Sequence, residues 1–322
     1  MWKLITDSLD TMIHRLTAEN IFTNYLGLAR SILALSLLLT LLFNHPDTLF
    51  RPGGVAPEKI HYLALHRFNF FYLLPYEYIH VLTGVAMIIL LLVIAGWNIG
   101  IMAVLQFWVA VSYCNVAVMI EGGDQVISNI SLLLIPICLC DPRKNHWYAI
   151  NYETLSARFA AERKLIANCF HKLIRIQVAV IYFHAAAGKM PVEQWADGTA
   201  VYYWFNNPTF GMCEWMRTIL MPLLVNPFTV VLITWGVIGF EWLLFMGMSM
   251  HKRYRVYLLI AALLFHFGII AIHGLFSFFL AMAGALLLYL APVYRNFSYT
   301  GIRLRGRKKR LPNISDTLFT TG

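Results

Sequence analysis

Lys189 is the most reactive-looking group in the sequence, a lysine set between AAAG and Met190. An amine at such a dry boundary is pushed by desolvation toward its neutral form. A neutral amine can abstract a proton or attack an electrophile. The competing reading is a lysine paired with Asp124 or Glu121 of the EGGDQ stretch. Glu241 falls in the middle of a long apolar run, and His184, His266 and His273 also sit in apolar surroundings. An ionisable group in a bilayer costs about 2.5–3.5 kcal/mol on insertion scales, so each needs a partner or a function. His273 follows His266 by two helical turns, so the two share a face. For the lone histidines an interhelical hydrogen bond is the plain alternative. For Glu241 a protonated carboxyl or a pair with Arg30, His266 or another bundle-facing donor is expected. Arg30 itself is read as snorkelling to the membrane surface or capping carbonyls.

The elements that position these groups are membrane spans. The chain has 322 residues, 59% of them apolar and 13% charged, with a mean hydropathy of +0.65. These values lie far from the globular norm. A helical span takes roughly 20 mostly apolar residues. Runs at about 25–43, 77–96, 99–120, 126–140, 174–188 and 228–250 meet or approach that length, and 256–291 is long enough for two spans broken near His273-Gly274. The expected fold is therefore an all-α polytopic bundle of about eight transmembrane helices. Pro136 and the short length make 126–140 the weakest of them. Residues 141–173 are expected to form a charged cytoplasmic helix.

Basic residues orient the bundle. Starting with the N-terminus in the cytoplasm, 18 of the 25 Lys and Arg fall in inside segments and 5 in the outside loops 44–76 and 189–227. That bias predicts both termini in the cytoplasm and puts Lys189, Glu121, Asp124 and His273 at the outer face. Residues 1–20 read as an amphipathic interfacial helix without a cleavable signal peptide. The block RLRGRKKR at 303–310 is expected to contact anionic lipid rather than nucleic acid. The organisation is thus a 1–24 interfacial helix, a 25–293 bundle and a 294–322 basic tail. The two outside loops are rich in aromatics, Gly and Pro, as a cap lying on the bilayer would be.

Other chemistries find little support. The five cysteines contain no C-x-x-C, and only Cys213 falls outside, against a thiol oxidase. Metal-ligand spacings are missing and no metal site is expected, with His61 and His66 as a weak signal only. Phosphate loops and nucleophile elbows are not present. Internal symmetry is not evident, against a secondary transporter.

The stretches LGLARSILAL (26–35), DTLFRPGGVAPE (47–58), GGDQVISNISLLL (122–134), QVAVIYFHAAAGKMPVEQWADGTAVYYW (177–204), FEWLLF (240–245) and LFHFGIIAIHGLFSF (264–278) resemble the HTTM superfamily. Its best-known enzyme is the vitamin K-dependent γ-glutamyl carboxylase. Within it, the likeness is to the sporulation-delaying protein B family of bacteria. The resemblance implies a multi-pass protein of the bacterial cytoplasmic membrane that works with a small accessory protein encoded beside it. Its substrate would be the precursor of a secreted antimicrobial toxin peptide, met at the outer face. It implies that Lys189 matches the base that deprotonates a reduced quinone, so quinone is a cofactor by resemblance alone. Asp124, His184, Glu241, His266 and His273 would shape the site. The carboxylase's soluble propeptide-binding domain has no counterpart after the last span, so the likeness does not extend to glutamate carboxylation. The alternatives are a non-enzymatic peptide-binding, export or immunity factor and a lipid- or quinone-dependent enzyme with another substrate.

Overall fold

Apolar helices separated by Pro, Gly and Asn breaks build most of the described structure. The computed structural model describes residues 11, 13–14, 16–50, 68–148, 159–208 and 210–297. Its α-helices are α1 (Asn24–Phe43), α2 (Pro46–Leu49), α3 (Ile79–Ile94), α4 (Ile99–Val116), α5 (Gly122–Cys140), α6 (Ala160–Lys189), α7 (Glu193–Ala196), α8 (Ala200–Phe205), α9 (Glu214–Leu224), α10 (Pro227–Met246), α11 (Lys252–His273) and α12 (Phe276–Leu290). Seven helices among the described residues are long and apolar enough to cross a membrane: α1, α3 (with the preceding turn from Tyr76), α4, α5, α6, α10 and α11. The protein is a polytopic helical bundle.

The eighth expected span is α12, which has only 15 residues. It lies in the middle of the bundle, packed on α1, α5, α6 and α11, so protein rather than lipid covers most of it. Gly274 at φ +73° separates it from α11, a left-handed turn that glycine adopts without steric cost. A stripe of small residues on α12 lets α1 approach closely. A Cβ added at Gly284 would sit 2.7 Å from Leu33 Cγ and 3.1 Å from the Ala29 carbonyl oxygen.

The helix ends sort onto two faces. Arg143, Lys144, Arg163, Lys164, Lys172, Arg175, Lys252, Arg253, Arg255 and Arg295 gather at one end, and Lys189 and Arg217 at the other. At the basic end, side chains tie neighbouring elements together through carbonyls. Asn168 donates to Leu16 and Glu19 at 2.7 and 2.9 Å. Arg175 Nε donates to the Tyr289 carbonyl at 3.2 Å, at the last turn of α12, where a cation suits the helix dipole.

Two sequence expectations need correction. The segment read as a cytoplasmic helix plus the span 174–188 is the single 30-residue helix α6, about 45 Å long at 1.5 Å per residue. Arg30 does not reach the membrane surface. It is 1% exposed inside the bundle, with Nε donating to Gln106 Oε1 at 3.1 Å and its Nη atoms without hydrogen-bond partners among the described residues. Residues 1–10, His61, His66 and the basic tail lie outside the described residues.

Candidate active site

α6, α10, α11 and the ends of α5 and α12 enclose a cavity of about 800 Å³ at the less basic end of the bundle. Its wall is almost wholly apolar and aromatic, with Phe240, Phe265 and Phe278 from the helices and Trp195, Trp204 and Phe205 from the loop that follows α6. This loop is helical in short pieces, α7 to α9, and its α7 and α8 residues Trp195, Val201, Trp204 and Phe205 line the cavity.

Lys189 and Glu241 form the polar centre of that cavity. Lys189 Nζ donates to both carboxylate oxygens of Glu241, at 2.7 and 2.8 Å, and to the Ala185 carbonyl at 3.0 Å. All three ammonium hydrogens are therefore used, and the group is fixed in place. The Trp195 ring lies 5.1 Å from Nζ and adds a cation–π contact. The Glu241 side chain is 10% exposed and that of Lys189 22%, so the pair is screened little by water. The sequence offered Asp124 or Glu121 as partners for Lys189. The partner is instead Glu241, brought across from α10 by its packing on α6.

His266 and His273 also line the cavity, in the positions their two-turn spacing implies. His266 is 2% exposed, and its Nδ1 donates to the Ala262 carbonyl at 2.8 Å. That bond leaves Nε2 as the nitrogen able to accept or exchange a proton. His273 Nδ1 donates to the Phe210 carbonyl at 2.7 Å and the ring packs edge-on against Phe205, which fastens the aromatic loop to α11.

Asp124 and His184 do not join this group. Asp124 stands at the third position of α5, where its Oδ2 accepts the Glu121 backbone N–H at 2.8 Å in a capping box. Glu121 in turn accepts the Ser277 hydroxyl at 3.2 Å, binding the start of α5 to the start of α12. Burial raises the Glu121 carboxyl above its ordinary value, against the opposing effect of that hydroxyl. His184 is exposed and leans on Phe183. It precedes Lys189 by five residues, which at about 100° per residue turns it some 140° away around α6.

Tyr182 is the cavity residue that sequence reasoning missed. It is 3% exposed, and its hydroxyl has no hydrogen-bond partner among the described residues. It lies two turns before Lys189 on the same face of α6, and that seven-residue spacing was the available signal. A buried hydroxyl beside an ion pair is a donor ready for a polar atom of a guest molecule.

The arrangement can hold an apolar or aromatic guest and present it with one ion pair, one phenol and one imidazole. Comparison with known proteins finds two relatives, both from Bacillus subtilis (strain 168). "Uncharacterized protein YitO" is 36% identical over 305 residues, covering 92% of this chain and 94% of the relative. "Sporulation-delaying protein SdpB" is 35% identical over 281 residues, covering 87% and 84%. No family model matches, and no solved structure does either. At that identity over most of both chains, this multi-pass membrane protein belongs to the sporulation-delaying protein SdpB family.

Proposed function

We propose that this protein matures an exported antimicrobial peptide of the sporulation-delaying type, working from the cytoplasmic membrane with its cavity open toward the outer face. The Lys189–Glu241 pair inside an apolar cavity carries the reading, because a paired charge buried in a guest-sized space is an expensive feature with no packing value. The sorting of cations to the opposite end supports the orientation. The SdpB relationship supports the system, and a small accessory protein is the expected partner.

Proton transfer is the chemistry on offer. Moving one proton from Lys189 to Glu241 turns the ammonium–carboxylate pair into a neutral amine and a neutral acid. A low dielectric lowers the cost of that neutral pair relative to the ionic one. The amine then takes a proton from an acidic group of the guest, and the anion left behind faces a renewed ammonium. The Tyr182 hydroxyl supplies a second donor to that anion.

A photo-crosslinking residue placed at Trp204 tests the location of the substrate. It captures the peptide precursor in cells, whereas the same probe at Leu139, an exposed site at the far end of α5, captures none. Equal capture at both positions refutes the cavity as the peptide site.

A quinone-dependent reaction is a second reading, favoured by the aromatic wall and by the size of the space. These residues suit a hydroquinone: Phe240, Phe265 and Trp204 would flank its ring, and Lys189 and Tyr182 would meet its oxygens. Such a group supplies two electrons and an ionisable hydroxyl. Quinone in lipid extracts of the purified protein, lost on Phe240→Trp, supports this reading over peptide entry.

A further inference from the structure

Far from the Lys189 pair, three ligand-type side chains meet where α1 ends and α3 begins. His45 Nδ1 lies 3.3 Å and His80 Nε2 3.4 Å from the same atom, Asp47 Oδ2. All three ligand atoms lie within 4.8 Å of one another. In a tetrahedral zinc site, bonds of about 2.0–2.1 Å to nitrogen and oxygen set neighbouring ligand atoms roughly 3.3–3.4 Å apart. The two edges that meet at Asp47 already have that length. The other carboxylate oxygen, Oδ1, accepts the Tyr76 hydroxyl at 2.9 Å, the outer hydrogen bond that typically orients a ligating carboxylate.

The geometry points to a divalent transition-metal site formed by His45, Asp47 and His80, taking Zn²⁺ or a similar borderline ion, with a fourth position left to water. Two imidazoles and one carboxylate are the donor set that such ions prefer, and Mg²⁺ or Ca²⁺ prefer more oxygen. The side chains are half exposed or more, so an ion reaches them directly from water. The Val118 N–H donates to the Leu49 carbonyl at 2.9 Å, which holds this corner to the loop before α5, on the Lys189 side of the bundle. His45 and Asp47 flank the start of α2, while His80 opens α3, so one ion clips the end of the first span to the start of the second. Free energy of binding to such a preformed corner adds to the stability of the fold.

The test uses the full chain in detergent micelles, stripped with a chelator and titrated with Zn²⁺ against a chromophoric competitor. The unaltered protein is expected to bind one equivalent through this site, unaffected by excess Mg²⁺ and with a rise in melting temperature. His45→Ala, His80→Ala and Asp47→Asn each weaken binding about tenfold or more, Tyr76→Phe weakens it less, and His184→Ala leaves it intact. Co²⁺ in the same site gives tetrahedral absorption bands that disappear in the variants. Failure of the unaltered protein to bind Zn²⁺ overturns the proposal. So does one equivalent retained by the combined His45→Ala, Asp47→Asn, His80→Ala protein, which places the ion elsewhere. Elution profiles matching the parent show that the variants are folded.

Discussion

Removing either member of the Lys189–Glu241 pair should cost far more than removing both. The two groups are joined by hydrogen bonds of 2.7 and 2.8 Å and are mostly buried. Taking one partner from a buried pair strands the other charge, at a cost of about 3–5 kcal/mol when burial is complete. Lys189 keeps some exposure at the cavity mouth, so Glu241→Leu and Lys189→Met are each expected to lose about 2 kcal/mol. The double variant Lys189→Met/Glu241→Leu replaces both polar groups with apolar ones in an apolar wall, and its loss should be no more than about 1 kcal/mol. The coupling energy of the cycle is then about 3 kcal/mol, the upper part of the range for contacting residues. Thermal unfolding in detergent or nanodiscs measures the stability cycle, and the exported peptide measures activity. The double variant should be well folded yet inactive, which separates chemistry from stability. Additive losses in the cycle, or a double variant that still matures peptide, would refute the reasoning.

Three further outcomes follow from the packing and the buried charges. Gly284→Val forces a Cβ to within 2.7 Å of Leu33 Cγ and is expected to cost about 1–3 kcal/mol or more in unfolding measurements, while Gly84→Ala, with open space around it, should be tolerated. His146 lies between α5 and α6, and burial first, then Arg30 and Arg143, lowers it from 6.5 to about 3. The unfolded chain therefore binds this proton more readily, so the contribution of His146 is complete above about pH 6.5 and is lost as the pH falls toward about 3. His146→Leu should flatten the acid side of the melting-temperature profile, and an unchanged slope would contradict the assignment. Arg30→Met should be neutral or stabilising, because a buried guanidinium with no ion pair among the described residues gives way to a well-packed apolar chain, whereas Gln106→Leu should cost about 1–3 kcal/mol by removing the hydrogen-bond acceptor of Arg30 Nε. Unfolding of Arg30→Met would show that the guanidinium holds something the fold requires.

Much of this was legible in the residues, for identifiable reasons. Hydropathy over about 20 residues is a local property, so the spans and the break at Gly274 could be read directly. The charged residues Lys172 and Arg175 lowered the local hydropathy and made α6 look like two segments, although both belong to one continuous helix and Arg175 serves carbonyls at its basic end. Periodicity placed His266 and His273 on one face, and the same arithmetic could have turned His184 away and added Tyr182. The union of Lys189 with Glu241 depends on how α6 packs on α10, which no spacing within one helix encodes. Arg30 was misplaced for a similar reason: its partner, Gln106, comes from α4. The meeting of His45 and Asp47 with His80 joins groups more than thirty positions apart, and it depends on the packing of α1 against α3.

Peptide mass tests the central claim most directly. A strain carrying Lys189→Arg at normal membrane levels keeps the positive charge and most of the cavity, but the guanidinium cannot give up its proton to act as a base. The account predicts that this strain exports only unprocessed precursor, as does a strain lacking the protein. Mature peptide of the parental mass, in parental amount, from the Lys189→Arg strain would contradict a proton-transfer role for Lys189.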